Sequence, residues 1–325
     1  VLLPDHPRGY VCVRRRHPLV LDGTLRGEAW RDAPWSLDFV DILGERGRKP
    51  WLRTRFKMLW DEDYLYIGAE LEEPHLWATL TKHDSVIFQD NDFEVFIDPD
   101  GDNHSYFEYE INALGTDWDL RLVKPYRDGG PALNSWEIPG LKKAVHLSGT
   151  LNDPSDVDQG WSLELAFPWS AFSKHAGAAC PPKFGDQWRM NYSRVQWDLR
   201  IVEGAYCKVP EAPEHNWVWS AQGAVDMHRP ELWGYVQFEE TLVPFRPDPD
   251  WATKCRLMAV YWSQKEYKAV HGEFATDLRQ LPEAHDGVLL LGGRDDFTAM
   301  AEGAHDWWEV RSDSRLSRSE GPDAS

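Results

Sequence analysis

The sequence predicts an all-β fold: a two-sheet antiparallel β-sandwich, jelly-roll or immunoglobulin-like, over residues 10–245, followed by a smaller α/β extension at 246–316. Three observations predict it. Short alternating segments bounded by Gly, Pro, Asn and Asp recur almost everywhere before residue 240. Helical periodicity is scarce in the same stretch. Pro244, Pro247 and Pro249 then mark a linker beyond which the character of the chain changes.

The elements follow in order. Residues 53–60 alternate Arg53, Arg55 and Lys57 with Thr54, Phe56 and Met58, and residues 64–71 place Leu65, Ile67, Ala69 and Leu71 on one face. Asp61-Glu62-Asp63 between them is of hairpin length. Residues 92–98 and 106–112 alternate again, and hydrophobic matching selects a register in which Val95 faces Phe107 and Phe93 faces Tyr109. Residues 161–167, 188–197 and 232–238 read as further strands, the last closing the sandwich, and 168–172 as a single turn of helix. In the extension, 255–262 reads as a strand, 264–271 and 274–281 as helical turns, and 288–291 and 307–310 as extended. The tail, 317–325, reads as disordered.

Composition narrows the function. A net charge of −19, from 35 Lys+Arg against 54 Asp+Glu, repels phosphate backbones, and no basic stripe interleaves with aromatics, so nucleic acid is not an expected partner. No apolar run approaches the roughly 20 residues that span a bilayer. The opening Val1-Leu2-Leu3-Pro4 is too short and polar to be a signal peptide, which predicts a mature or cytoplasmic chain. Cys12, Cys180, Cys207 and Cys255 lie far apart without zinc-type spacing, and disulfides or buried thiols both fit.

Eighteen tryptophans and the acids beside them carry the ligand chemistry. Most tryptophans fill cores, but flat aromatic faces next to carboxylates and amides also suit a ligand with apolar faces and a hydroxylated edge, such as a sugar ring. In the expected register one sheet face collects Asp90, Asp92, Glu94, Glu108 and Glu110, like charges that need cations or donors to offset them. Arg121 or Arg194 could supply these if the face is merely solvated. Asn91 and Asn112 beside the acids favour a polar ligand trough. In the hairpin loop, Asp98, Asp100 and Asp102 stand at alternate positions around Gly101, an oxygen set suited to calcium, although the EF-hand spacing is missing. Nucleotide-loop, serine-hydrolase and zinc-protease motifs are absent. Paired carboxylates drawn from Asp92, Glu94 and Asp119 could serve a glycan-active hydrolase or lyase. Asp226-Met227-His228 offers haem-type ligands, but two adjacent side chains cannot both be axial to one iron.

Five blocks in order resemble the family 9 carbohydrate-binding modules: Leu59-Trp60-Asp61-Glu62-Asp63-Tyr64-Leu65-Tyr66-Ile67, Asp90-Asn91-Asp92-Phe93-Glu94-Val95-Phe96-Ile97-Asp98-Pro99, Glu110-Ile111-Asn112-Ala113, Gly160-Trp161-Ser162-Leu163-Glu164-Leu165-Ala166-Phe167-Pro168-Trp169 and Trp233-Gly234-Tyr235-Val236-Gln237-Phe238. Leu21-Asp22-Gly23 with Trp30 matches the family's N-terminal strand and turn. The resemblance covers residues 15–240. It implies a DOMON-type β-sandwich, secreted or periplasmic, with structural calcium. The implied ligand is an oligosaccharide or polysaccharide held by stacking and hydrogen bonds without catalysis. Carried over position by position, it implies Phe88 as the aromatic six residues before the acid Glu94, Asn216 and Trp219 as the late amide and aromatic, and Arg194, or Arg200, as the arginine. Phe88 stands where the family has tryptophan, so Trp118 or Trp77 becomes a candidate stacking plane. Stacking a ring on Trp219 would contribute about 1–3 kcal/mol, by analogy with bases on aromatics. The superfamily also contains haem-binding redox proteins, which keeps that alternative open.

Overall fold

The computed structural model describes residues 5–282 and 285–322. Its strands are β1 (Gly9–Arg14), β2 (Val40–Asp41), β3 (Thr54–Trp60), β4 (Tyr64–Glu72), β5 (Asp92–Asp98), β6 (Tyr106–Asn112), β7 (Asp117–Leu122), β8 (Ala132–Leu133), β9 (Lys142–Ser148), β10 (Gly160–Pro168), β11 (Gln187–Gln196), β12 (Leu199–Val202), β13 (Ala205–Lys208), β14 (His215–Val218) and β15 (Gly234–Glu239). The short helix α1 (Trp169–Phe172) follows β10, as expected. Beyond residue 245 come the helix α2 (Trp251–His271) and strands β16 (Val288–Gly292), β17 (Phe297–Glu302), β18 (Trp307–Arg311) and β19 (Leu316–Ser319).

The expected pair of antiparallel sheets is, by hydrogen bonding, one curled sheet. Its order is β8-β7-β6-β5-β11-β15-β1-β3-β4-β10-β9, with β14 branching from β11 and β2 from β14. The join is β1, which lies parallel to both β15 and β3; every other pairing is antiparallel. The sheet doubles back on itself, so strands distant in its order meet face to face. Phe56 of β3 stacks 3.9 Å from Tyr192 of β11, and Tyr109 of β6 meets Phe167 of β10 edge-on at 5.3 Å. The result is sandwich-like, with one main core between the two halves.

Buried carboxylates fasten this curl at places where the sequence motifs fall. Glu164, fully buried on β10, accepts from the backbone N–H groups of Asp22, Gly23 and Leu25 and from Trp30 Nε1. Gly23 sits at φ +79°, and a Cβ there would lie 2.7 Å from the backbone of His146, so the turn requires glycine. Asp61 closes the β3–β4 hairpin by accepting from the N–H groups of Asp63 and Tyr64 and pairing with Arg15.

The β5–β6 register differs from the expected one by two residues. Val95 pairs with Tyr109, Phe93 with Ile111, Glu94 with Glu110 and Asp92 with Asn112. A slip of two keeps every side chain on its face, so hydrophobic matching cannot distinguish the two registers. The loop decides: Asp98 accepts from the N–H groups of Gly101 and Asn103, which ends the ladder at Ile97–Phe107 in a wide turn.

The extension is α+β rather than α/β: α2 lies on the antiparallel meander β16–β19 over its own core. Residues 255–262, expected to be a strand, are the middle of α2. An eight-residue apolar run fits both periods, and length decides between them. The helix buries Cys255, Leu257, Met258, Val260, Tyr261 and Gln264, a helical spacing, and stops at Gly272. Residues 274–281 contain only a 3-10 turn, Leu278–Gln280. The tail is also corrected: its first residues, 317–319, belong to edge strand β19, because β18 offers an open edge. Residues 323–325 of that tail, and residues 1–4 of the opening segment, lie outside the described residues. All four cysteines are free thiols, and no described helix is long and apolar enough to cross a membrane.

Candidate functional site

A cleft of about 250 Å³ opens on the face of β5 and β6 that points away from the main core. Phe88, from the 3-10 turn before β5, forms one wall; Glu94 and Phe96 of β5 with Glu108 of β6 form the floor; Asn216 and Glu214 border it at β14, and Asp226, Met227 and His228 cover the far side. Every residue of β5 and β6 is buried. The acidic face is therefore not solvated, as one of the two sequence readings required. The segment between β14 and β15 folds over it, and Phe96 packs with Tyr106, Leu120, Leu122 and Trp233 in a second small core.

Three carboxylate oxygens on this face, Asp92 Oδ2, Glu94 Oε2 and Glu108 Oε2, have no hydrogen-bond partner among the described residues. Arg121 and Arg194 do not neutralise them. Arg121 Nη1 donates to Ser105 Oγ, and Arg194 Nη2 donates to Glu73 Oε2 at 3.0 Å. Burial pushes the Glu94 carboxyl up to about 7 and the Glu108 carboxyl up to about 8, the latter helped by the Glu94 charge. Burial likewise raises Asp92 and Glu110, with Glu94 the next cause in both. His228 goes the other way: burial and Arg127 hold it down to about 4, so the imidazole is neutral, between Tyr106 Oη at 3.0 Å and Glu108. Met227 Sδ faces Gln222 Nε2 at 3.1 Å, so both side chains considered as haem ligands are already engaged.

These raised carboxyls set the sign of the pH dependence. The folded state keeps protons that the unfolded chain releases above about pH 4.3, so it binds more protons between about pH 5 and pH 8. Stability is then greatest on the acid side of that window and falls as the pH rises through about 7 and 8. In buffer without added cations, the melting temperature is expected to drop by several degrees between about pH 5.5 and about pH 8.5, each unit of displacement contributing about 1.4 kcal/mol. Thermal denaturation of Glu94→Gln checks this, since the variant should show a flatter profile. A melting temperature that rises across this window would contradict the assignment.

The structure brings together three of the six expected sugar-binding residues. Phe88, Glu94 and Asn216 share the cleft. Trp118 pairs with Glu110 on the same sheet face, but it packs half-buried against the Phe96 cluster and does not line the cleft. Arg194 and Trp219 are corrected. Arg194 is 1 % exposed, bonded to Glu73, Gln196 and Thr54 with its guanidinium over Trp217. Trp219 is 1 % exposed, edge-on to Phe56, with Gly234 against its ring. Both are core residues, because strand alternation turns positions 194 and 219 away from the cleft.

Asn91 and Asn112 are structural as well. Asn91 accepts from Trp197 N–H. Asn112 holds the β6–β7 turn and reaches Asp90, which in turn accepts from the N–H groups of Thr79 and Leu80. Asp119 does not join Asp92 and Glu94, since it pairs with Tyr109 on the opposite face. The cleft-lining residues the sequence reading missed are Glu214 and His228; Glu108 already stood on the expected acidic trough, and His228 entered only through the Asp226-Met227-His228 cluster.

At the tip of the same hairpin, ligand atoms of Asp98, Asp100 and Asp102 lie within 4.8 Å of one another. Burial first, then Asp100 and Asp102, raises the Asp98 carboxyl, and Asp100 is pushed up to about 6 by burial and Asp102. Arg315 Nε donates to Asp102, a partial offset.

The profile of the carbohydrate family 9 binding domain-like family matches residues 21–181, which contain the β5–β6 hairpin. The chain is a family 9 carbohydrate-binding module-like protein. This module-like chain is 26 % identical over 154 residues to exoglucanase XynX of Acetivibrio thermocellus, covering 47 % of this chain and 12 % of that enzyme. It is 26 % identical over 158 residues to endo-1,4-beta-xylanase A of Thermoanaerobacterium saccharolyticum, covering 49 % of this chain and 11 % of the enzyme. The module-like protein thus matches only about a tenth of the length of these relatives. In fold it is similar to a Bacteroides uniformis protein whose carbohydrate-binding role is itself an inference, with TM-score 0.53 and 15 % identity over 72 % of this chain and 100 % of the other.

Proposed function

We propose that this module-like protein binds the end of a carbohydrate chain at the Phe88–Glu94–Glu108–Asn216 cleft and does not cleave it. The observation that carries the reading is the pair of buried carboxylate oxygens, Glu94 Oε2 and Glu108 Oε2, without partners on the floor of a cleft walled by an aromatic ring. Buried polar atoms cost free energy unless a partner is supplied, and the hydroxyl edge of a sugar supplies several. Phe88 offers the ring face, and Asn216 the amide. At about 250 Å³ the cleft lies below the roughly 300–1,000 Å³ usual for ligand pockets, which suits one terminal sugar rather than an internal stretch. The two enzyme relatives point to glucans and β-1,4-linked xylans as the first ligands to try. Calorimetric titration with cellotriose and xylotriose, with chromatography of the mixture afterwards, tests the proposal: saturable binding without released sugar is expected. Released sugar that disappears in Glu94→Gln would instead assign a hydrolase or lyase.

Asp98, Asp100 and Asp102 would hold calcium at the hairpin tip. Three carboxylates meet there with one arginine for compensation, and an all-oxygen donor set suits a hard cation. The ion would offset their repulsion and stabilise the strands that carry Glu94 and Glu108. A cation that binds only the folded state stabilises it by about 2.7 kcal/mol at a hundredfold excess over its dissociation constant. The melting temperature should therefore fall in chelator and recover with calcium, less so with magnesium. An unchanged melting curve in chelator, with no calcium in the purified protein, would remove the site.

A further inference from the structure

We propose a second cation site, selective for zinc-like divalent ions, formed by His83, Asp84, Asp119 and Glu137 on the opposite face of β7 from the cleft. One ligand atom from each of the four side chains lies within 4.8 Å of all the others. His83 Nε2 is 3.1 Å from Glu137 Oε2, 3.4 Å from Asp84 Oδ1 and 3.6 Å from Asp119 Oδ1. A tetrahedral shell with bonds of about 2.0–2.2 Å has edges of roughly 3.3–3.6 Å, so the imidazole already stands at shell spacing from the Asp84 and Asp119 oxygens and slightly inside it from Glu137.

Two independent features aim this cluster at a metal. Asp119 is only 3 % exposed, and its Oδ1, turned toward His83, has no hydrogen-bond partner among the described residues, while its Oδ2 accepts from Ile138 N–H. The other ring nitrogen, His83 Nδ1, lies 3.0 Å from Asp117 Oδ1 and 3.1 Å from the Asp117 carbonyl. That is the arrangement in which a carboxylate orients a metal-bound histidine and leaves Nε2 to the ion. Lys143 Nζ sits 2.6 Å from the same Asp117 oxygen, so Asp117 has a cation of its own as an outer partner, whereas among the described residues the three inner carboxylates are paired with His83 alone. One imidazole with three carboxylates favours zinc over calcium, which takes oxygen ligands alone.

The backbone holds the set in place. Asp84 N–H donates to the Asp117 carbonyl and Asp84 itself lies at φ +63°, which fixes its side chain beside His83. The ion would join three segments: the 79–91 loop, strand β7 and the 134–139 loop. The first of these leads directly into Phe88, so the site would also steady one wall of the cleft.

The test titrates zinc into the chelator-stripped full chain in excess calcium. One saturating equivalent of zinc is expected, with affinity lowered about tenfold or more in His83→Gln and in Asp119→Asn. Half-exposed His83 is replaceable without unfolding the protein, and melting curves in chelator confirm that both variants fold. Cobalt should give the intense visible bands of a tetrahedral site in the unaltered protein and lose them in His83→Gln. Zinc bound equally well by His83→Gln, no saturable zinc binding, or a weak octahedral cobalt spectrum would each overturn the site and leave His83 as an ion-pair partner of its acids.

Discussion

Replacing Glu94 by alanine is expected to lower affinity for cellotriose or xylotriose by about 10- to 100-fold, measured by calorimetry. The Glu94 carboxyl lies 4 % exposed on the cleft floor with one oxygen unpartnered, so a sugar hydroxyl there gains a hydrogen bond without displacing another protein group. Hydrogen bonds to charged groups contribute about 1.5–3 kcal/mol, and each 1.4 kcal/mol is tenfold in affinity. Glu94→Gln separates the two protonation states. Because the carboxyl is pushed up to about 7, it is a neutral donor below that pH, and glutamine should then retain much of the affinity. Above it the carboxylate accepts only, and the glutamine variant should fall behind. Affinity unchanged in Glu94→Ala, with the fold intact, would remove this residue from the site.

Trp219→Ala is expected to destabilise the fold by about 3–5 kcal/mol and to leave the intrinsic affinity of the remaining folded protein nearly unchanged. Trp219 is a core side chain in contact with Phe56 and Tyr192, and its ring lies where Gly234 leaves room for it. Truncation removes the ring from the middle of the main core and opens a cavity between β3 and β11. For a domain of this size the melting temperature should fall by roughly 6–20 °C, at about 2–4 °C per kcal/mol. Differential scanning calorimetry reads the loss, and titration below the lowered melting point reads the affinity. A variant that melts normally but binds sugar tenfold more weakly would restore Trp219 to the site.

Much of the sandwich was legible because strand alternation is a local signal. The segments at 53–60, 64–71, 161–167 and 188–197 all form strands close to those bounds. The closing segment pairs inside the main sheet, although its first residues form a 3-10 turn before Gly234. Residues 255–262 of helix α2 failed the same reasoning, since a short apolar run carries both periods, whereas 264–271 form the expected helical turns. The site was half legible. Phe88 and Glu94 sit within one continuous motif, where six residues of spacing fix their relation. Arg194 and Trp219 were placed by analogy at distant strands, where one step of alternation separates the cleft from the core. Eleven of the eighteen tryptophans are buried, and aromatic density alone does not mark a ligand surface.

The sequence by itself determined the β class, the hairpin that carries the acids, the linker before residue 250 and the likeness to family 9 modules. These depend on neighbours along the chain: alternation, turn residues and motif spacing. Only the tertiary structure decided that β1 joins the two halves into one sheet, that the acidic face is covered, and that one oxygen each of Glu94 and Glu108 lacks a partner among the described residues. It also decided that His83 meets Asp84, Asp119 and Glu137. Each of these depends on contacts between segments distant in the chain, where a shift of one residue exchanges core for cleft and a fold of the whole sheet selects which charges meet.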